Sequence, residues 1–536
     1  VFKVHYFLTI AQHSSIIQLV APPPLSEETV NFWRAVSVLI GTCLLGALAF
    51  LPTFAAAEYH QSDENTAFRS RDHHAGEYKN PGVENSEYNA SEQRDSGPQG
   101  CEFQINTYTT GHQTYPSLAM TDEGDFVVIW QSYDQDGSGI GIFGRMYDAQ
   151  GAPTTDEFLI NEYTDLDQWS GDIRMDQDGN FLVVWESENP IGSTWEIMGR
   201  LFSADGTPLG GEFRINSHYA DEQRRPVMDM KENGDFIVAW ESYLLDGDDI
   251  DSFVRLFDSD SEPTTGDIQA NVYTNQRQWC PAPALNASGS FTVVWESEYQ
   301  DGSEWSLFGR LFDAGGEPLG DEININSQTS GDQVNPFITS DDEGNFIVTW
   351  QSNGPGSDDW DIFCRRFDST GAPLEDEFRA NSYTANQQVA PDVFLFDDGG
   401  FMLTWDSYGQ DAAGDYGVFF RRFDADGQPW GEELQANTHT ESDQSSGSVD
   451  FDAEGNFVMV WRSIDQDGSG YGAFGQMFWA DQTPRCPLGT TTTTTPTSTT
   501  TTSTADDDYI EPDPGRQPAT EDSDDDGWPQ GDISGG

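Results

Sequence analysis

The chain has 536 residues, 93 of them acidic and 24 basic, for a formal net charge of −69, and its only lysines are Lys3, Lys79 and Lys231. Binding nucleic acid requires clustered cations that displace counterions from phosphates, so no nucleic-acid partner is expected. A carboxylate excess of this size suits a salty exterior or divalent cations, which screen self-repulsion, or serves solubility alone.

In chain order, residues 1–57 read as a leader. Arg34 precedes an apolar run from Ala35 to Leu51, followed by Pro52 and then Ala55, Ala56 and Ala57 before Glu58. Positive flank, apolar segment and small-residue cleavage site are the order of a secretory signal. The run is short for a membrane span, and an uncleaved anchor is the alternative. Val30 is the expected true start, and no membrane insertion is expected after cleavage. Residues 58–100 are a polar linker.

From residue 101 the sequence repeats at intervals of 55 residues, except the sixth, which is 56 and takes its extra residue in the loop around Asp411 to Tyr416. Trp recurs at Trp130, Trp185, Trp240, Trp295, Trp350, Trp405 and Trp461. Asn recurs at Asn106, Asn161, Asn216, Asn271, Asn326, Asn381 and Asn437, and seven residues after each stands Gln113, Gln168, Gln223, Gln278, Gln333, Gln388 or Gln444. A fixed period of this kind decides the architecture before any local reading. In the first copy Glu102 to Asn106, Pro116 to Met120, Asp125 to Ser132 and Ile142 to Asp148 have strand chemistry, divided by Gly-containing turns. Four antiparallel strands per unit make a propeller blade.

The predicted fold is therefore all-β, one seven-bladed β-propeller of four-stranded blades over residues 101–486. The array begins with a strand that has no blade and ends near Phe478 with a blade that lacks its fourth strand. Strand 102–106 is expected to fill that gap and close the ring, removing an exposed edge; an open solenoid is the competing fold. Trp130-Gln131-Ser132, Gln135 to Gly139 and the segment Phe202 to Phe213 resemble repeats of large secreted and surface proteins of bacteria. That resemblance implies the same fold and carries no established enzymatic activity.

Cys101 and Cys486 flank the repeats. Counted along the repeat, they fall at adjacent positions, so ring closure brings them within disulfide reach, and a Cys101–Cys486 bond in an oxidising compartment is expected. Cys280 and Cys364 read as buried single thiols. Residues 487–520 contain a Thr tract with no apolar face to bury, which reads as a linker or stalk open to glycosylation. Residues 521–536 form an Asp-rich tail. Its Asp522, Asp524, Asp526 and Asp532 resemble part of a thrombospondin type 3 repeat, and that resemblance implies calcium as a cofactor; a plain acidic tail is the alternative.

Residues present in every copy are expected to hold blades together: the Asn and Gln series in turns, the Trp series in packing between blades, and Arg145, Arg200, Arg255, Arg310, Arg365 and Arg421 among aromatics. His112, His218 and His439 read as surface loop residues. No catalytic residues are expected. Recognition is expected on the face that carries the long loops, with Asp134, Asp136, Ser138, Asp246, Asp248, Asp301, Ser303, Asp465, Asp467 and Ser469 offering oxygen to a ligand or to calcium. The expected function is an extracellular noncatalytic binding or adhesion module for a glycan or protein surface, and the alternative is a secreted glycan-processing enzyme.

Overall fold

The computed structural model describes residues 101–487, apart from 190–193, 220–221, 244–249, 355–358, 397 and 412–413. The leader, the polar linker, the Thr tract and the acidic tail with Asp522, Asp524, Asp526 and Asp532 lie outside the described residues, as do Asp246 and Asp248.

The fold is an all-β propeller of seven antiparallel sheets. Blade 1 consists of an inner strand Gln113–Met120, then Phe126–Tyr133, Ile140–Tyr147 and a two-residue outer strand Phe158–Leu159. Blades 2 to 6 repeat this order over 168–214, 223–269, 278–324, 333–379 and 388–435. Blade 7 has three strands of its own, Gln444–Phe451, Phe457–Ile464 and Tyr471–Phe478, and takes its fourth from the other end of the array. Phe103 pairs with Gly475 and Gln104 with Phe474. The closing strand has only two residues where five were expected, because a side chain takes over its ladder. Ile105 N–H donates to Ala473 at 2.9 Å, and Ala473 N–H then donates to the Asn106 side-chain oxygen at 2.8 Å.

Further along the same edge of Tyr471–Phe478, Pro484–Arg485 pairs with Met477 and Phe478, while Phe457–Ile464 occupies the opposite edge. The two ends of the array are joined by the Cys101–Cys486 disulfide, with Cα atoms 4.6 Å apart. Cys280 and Cys364 are buried free thiols.

The core lies between blades. The seven Trp side chains are at most 1 % exposed, and each cluster draws on two neighbours. Trp130 packs with Val458, Val460 and Met477 of blade 7, and Trp185 with Val127 and Ile129 of blade 1. Burying one large apolar side chain stabilises by roughly 1.5–3 kcal/mol, so the repeated anchors hold the ring together through their interfaces. Within a blade, stacked pairs such as Phe126–Tyr147 and Phe181–Phe202, with ring centroids 4.8 and 4.9 Å apart, tie the second strand to the third.

The inner strand starts three residues earlier than its apolar pattern indicates, at Gln113 rather than Pro116. A β-bulge interrupts each inner strand between residues equivalent to Thr114 and Ser117. Seven bulge residues at one repeat position, Tyr115, Ser170, Arg225, Cys280, Asn335, Ala390 and Ser446, have φ between 50° and 59°. The bulge breaks the period-two alternation on which a strand reading rests.

Candidate functional site

The residues common to all copies are occupied by architecture. Each Asn bonds the start of a third strand through its side-chain oxygen, as Asn161 does with Ile142 N–H at 2.8 Å and Asn326 with Leu307 N–H at 2.7 Å. The Asn161 amide group also donates to Gln168 at 3.1 Å. The Arg series spans neighbouring blades: Arg200 Nη1 donates to Ile160 O at 2.8 Å, with its guanidinium 5.4 Å from the Phe202 ring centroid. A carboxylate series adds a hook to the preceding blade. Glu322 accepts the Val272 and Tyr273 amides, Glu157 those of Thr107 and Tyr108, and Glu102 those of Thr438 and His439 across the closure.

The connection from second to third strand and the passage from one blade to the next emerge on one face. The described loop residues Asp134, Asp136 and Ser138 belong to blade 1, Asp301 and Ser303 to blade 4, and Asp465, Asp467 and Ser469 to blade 7. Blades 7 and 1 are neighbours in the closed ring, with His112 packed against Tyr133 of one and Tyr471 of the other, whereas blade 4 is separated from both by intervening blades. Asp136, Asp301 and Asp467 each turn inward to cap their own loop, accepting the amides of Ser138, Ser303 and Ser469 at 3.2, 2.9 and 3.1 Å. Neighbouring glutamines do similar work, since Gln135 and Gln300 donate to Glu157 and Glu322 at 2.7 and 2.8 Å. His112 is an exposed loop residue that accepts the Tyr471 amide at 3.2 Å. Among the described residues no three His, Cys, Asp or Glu side chains are grouped as a metal site.

Departures from the repeat gather in two places that lack a sequence signal of their own. The first is the channel along the ring axis, a cavity of about 100 Å³ lined by inner strands. Arg174 of blade 2 meets Asp172 at 3.0 Å and interacts electrostatically with Asp229, Asp392 and Asp450 of blades 3, 6 and 7. Three of these carboxylates reach the next blade: Asp172 accepts the Met228 amide at 3.0 Å, Asp229 that of Leu285 at 2.7 Å, and Asp450 that of Met120 at 2.8 Å. Burial pushes the Asp450 carboxyl up to about 6 and raises Asp229 as well.

The second place is a strip of aromatics and arginines on the loop face, carried by strand ends that leave the loops. In blade 2 the Trp169 and Trp195 rings lie 5.7 Å apart, and in blade 4 Trp279 stacks on Trp305 at 5.2 Å. Blade 3 lies between them with Arg224 and Arg225. The Arg224 guanidinium lies 4.0 Å from the Trp195 ring, Arg225 5.8 Å from Trp279, and Arg277 5.0 Å from Trp279. Trp360 of blade 5 joins Trp305 and Val334 in a small cluster against which Trp279 packs. Trp305 and Trp360 are each 7 % exposed and form the base, while Trp169, Trp195 and Trp279 remain partly open to solvent. At the Trp169 position the other blades carry Thr114, Arg224, Trp279, Val334, Val389 and Ser445. Alignment on the common anchors passes over so variable a position.

A buried layer supports the strip. Arg225 pairs with the fully buried Glu241 at 3.1 Å, and Glu241 accepts the Cys280 amide at 3.0 Å. The Cys280 thiol bonds Glu296, whose carboxyl burial pushes up to about 7.

No protein-family model and no curated protein matches the chain. Among solved structures it is similar to a protein of unknown function from Dyadobacter fermentans, at 11% identity over 70% of this chain and 97% of that one, with a TM-score of 0.43. The β-propeller domain of the Trilobed protease from Pyrococcus furiosus gives 10%, 72%, 100% and 0.43. An α-L-arabinanase from Penicillium chrysogenum, complexed with arabinobiose, gives 12%, 71%, 99% and 0.41. The likeness stops at architecture.

Proposed function

We propose that this chain is a noncatalytic extracellular binding module that takes a glycan on its loop face, across the strip formed by Trp169, Trp195, Arg224, Arg225, Arg277 and Trp279. The observation that carries this reading is the copy-specific gathering of partly exposed indoles and guanidinium groups on one face of a rigid ring. Trp, Tyr and Arg are the residues on which binding energy concentrates, because they combine a large apolar surface with directed polar groups. An indole face suits the C–H face of a sugar, and Arg and Glu beside it suit hydroxyls. The rim carboxylates Asp136, Asp301 and Asp467 serve this reading as loop caps.

The test is a glycan and polysaccharide binding screen on the full chain, followed by titration of Trp169→Ala and Trp279→Ala. Each substitution is expected to weaken binding about threefold to tenfold, the range for losing one aromatic partner, while thermal melting shows a folded ring. Unchanged binding in both variants places the site elsewhere.

The channel favours a second reading, a glycan-processing enzyme. Burial pushes the Asp450 carboxyl up to about 6, and it interacts with Asp392 of another blade, an arrangement of the kind that sets acid apart from base. Against it, both Asp450 oxygens already accept amides, from Met120 and Phe451. Release of new reducing ends from a bound polysaccharide, abolished by Asp450→Asn, would replace the first reading with this one.

A further inference from the structure

We infer that the ligand of the loop face is a linear, uncharged polysaccharide that lies across blades 2 to 4 and occupies at least two indole subsites; this rests on the glycan reading above. Two observations on the strip lead to it.

The first is the arrangement of the aromatics. Trp169 with Trp195 in blade 2 and Trp279 with Trp305 in blade 4 are equivalent pairs two blades apart. A single sugar residue engages one ring pair, so a ligand that uses both must continue over blade 3. There it meets Arg224 and Arg225, which bridge the pairs by lying over Trp195 on one side and Trp279 on the other. A monosaccharide pocket would instead converge on one indole and enclose it.

The second is charge. The strip is rich in arginine, yet each guanidinium is already matched. Arg224 pairs with Glu186 at 2.9 Å and with Glu222 at 3.2 Å, Arg225 with Glu241 at 3.1 Å, and Arg277 with Glu298 at 3.7 Å. A sulfated or uronic-acid chain would have to displace these carboxylates, and it would approach a molecule of formal net charge −69. A neutral chain meets neither obstacle. Its hydroxyls can bond to paired Arg and Glu groups without breaking the pairs, and its C–H faces can cover the indoles.

The experiment is a calorimetric length series on the full chain. It uses neutral β-linked gluco-, manno- and xylo-oligosaccharides from two to eight units, with polygalacturonate and a sulfated glycan as anionic probes. Affinity for one neutral series is expected to rise at least tenfold between the shortest and longest members, and the anionic probes are expected to bind more weakly at low salt. Trp169→Ala should flatten the length dependence and leave the affinity for the shortest oligomer within about twofold, whereas Trp169→Phe, which keeps an aromatic ring in place, should retain most of the length dependence. Equal affinity for short and long neutral oligomers overturns the two-subsite inference and leaves the binding function standing, and so does preference for an anionic probe. Failure of every carbohydrate to bind removes the glycan reading together with the inference.

Discussion

Glu296 shows how one residue of the ring responds to its surroundings. It is fully buried beneath the loop face, its Oε1 accepts the Asn335 amide at 2.6 Å, and burial pushes its carboxyl up to about 7. Burial likewise brings Asp450 to about 6 and raises Asp229. An unfolded carboxyl titrates near ~4, so in each case the folded state holds the proton more tightly than the unfolded one. The resulting stabilisation is complete below about pH 4 and is lost as pH rises to about 7. Asp205, Asp368 and Asp481, lowered by hydrogen bonds from Ser203, Thr370 and Thr483, act in the opposite sense and only below that window. Melting temperature at constant ionic strength is therefore expected to fall between pH 5 and pH 7.5. Glu296→Gln, neutral throughout, should reduce the fall. An identical pH slope in the variant would show that other groups bind the proton.

The bulge in the inner strand is where elements of neighbouring blades are joined, and in blades 3 to 7 the amide it releases is taken by the residue after the Trp of the preceding blade. Glu186 accepts the Arg225 amide at 2.6 Å, Glu241 that of Cys280 at 3.0 Å, Gln351 that of Ala390 at 3.0 Å and Asp406 that of Ser446 at 2.9 Å. An uncharged acceptor suffices at Gln351, whereas Glu241 must also neutralise Arg225. Removing one member of a buried ion pair leaves an uncompensated charge and costs roughly 3–5 kcal/mol, while loss of a neutral partner to a buried amide costs about 1–3 kcal/mol. Glu241→Ala is thus expected to destabilise the ring more than Gln351→Ala in urea titrations, and similar midpoint shifts would show that the charge of Glu241 matters little. This joint was not legible in the sequence. Its positive-φ position is filled by Tyr, Ser, Arg, Cys, Asn, Ala and Ser, with no Gly to announce it. The Trp, Asn and Gln anchors were legible because interface packing and strand termination demand the same side chain in every blade. The Trp169 to Trp279 strip was hidden for the opposite reason: its residues differ from blade to blade, and only the fold shows that they share a face.

At the scale of the whole molecule, closure depends on two short ladders and one covalent bond. Phe103–Gln104 and Pro484–Arg485 each contribute two residues of pairing to the same strand of blade 7. Two-residue strands hold little on their own, and the hooks from Glu102 to Thr438 and His439 lie at the far end of the same closing strand. The disulfide links positions separated by 385 residues, so it greatly restricts the unfolded chain while also pinning both terminal strands. The phasing of the repeat made this pairing readable in advance, since Cys101 and Cys486 stand where consecutive residues stand in other blades. Cys101→Ser with Cys486→Ser is expected to lower stability by about 2–5 kcal/mol. Loss should begin at the seam: amide exchange at Gln104, Ile105 and Arg485 should accelerate before that of the Val458 to Trp461 strand, because the seam opens locally while the six continuous blades stay paired. If exchange at the seam and the unfolding midpoint both match those of the parent chain, the ladders and the Glu102 hook close the ring without the disulfide.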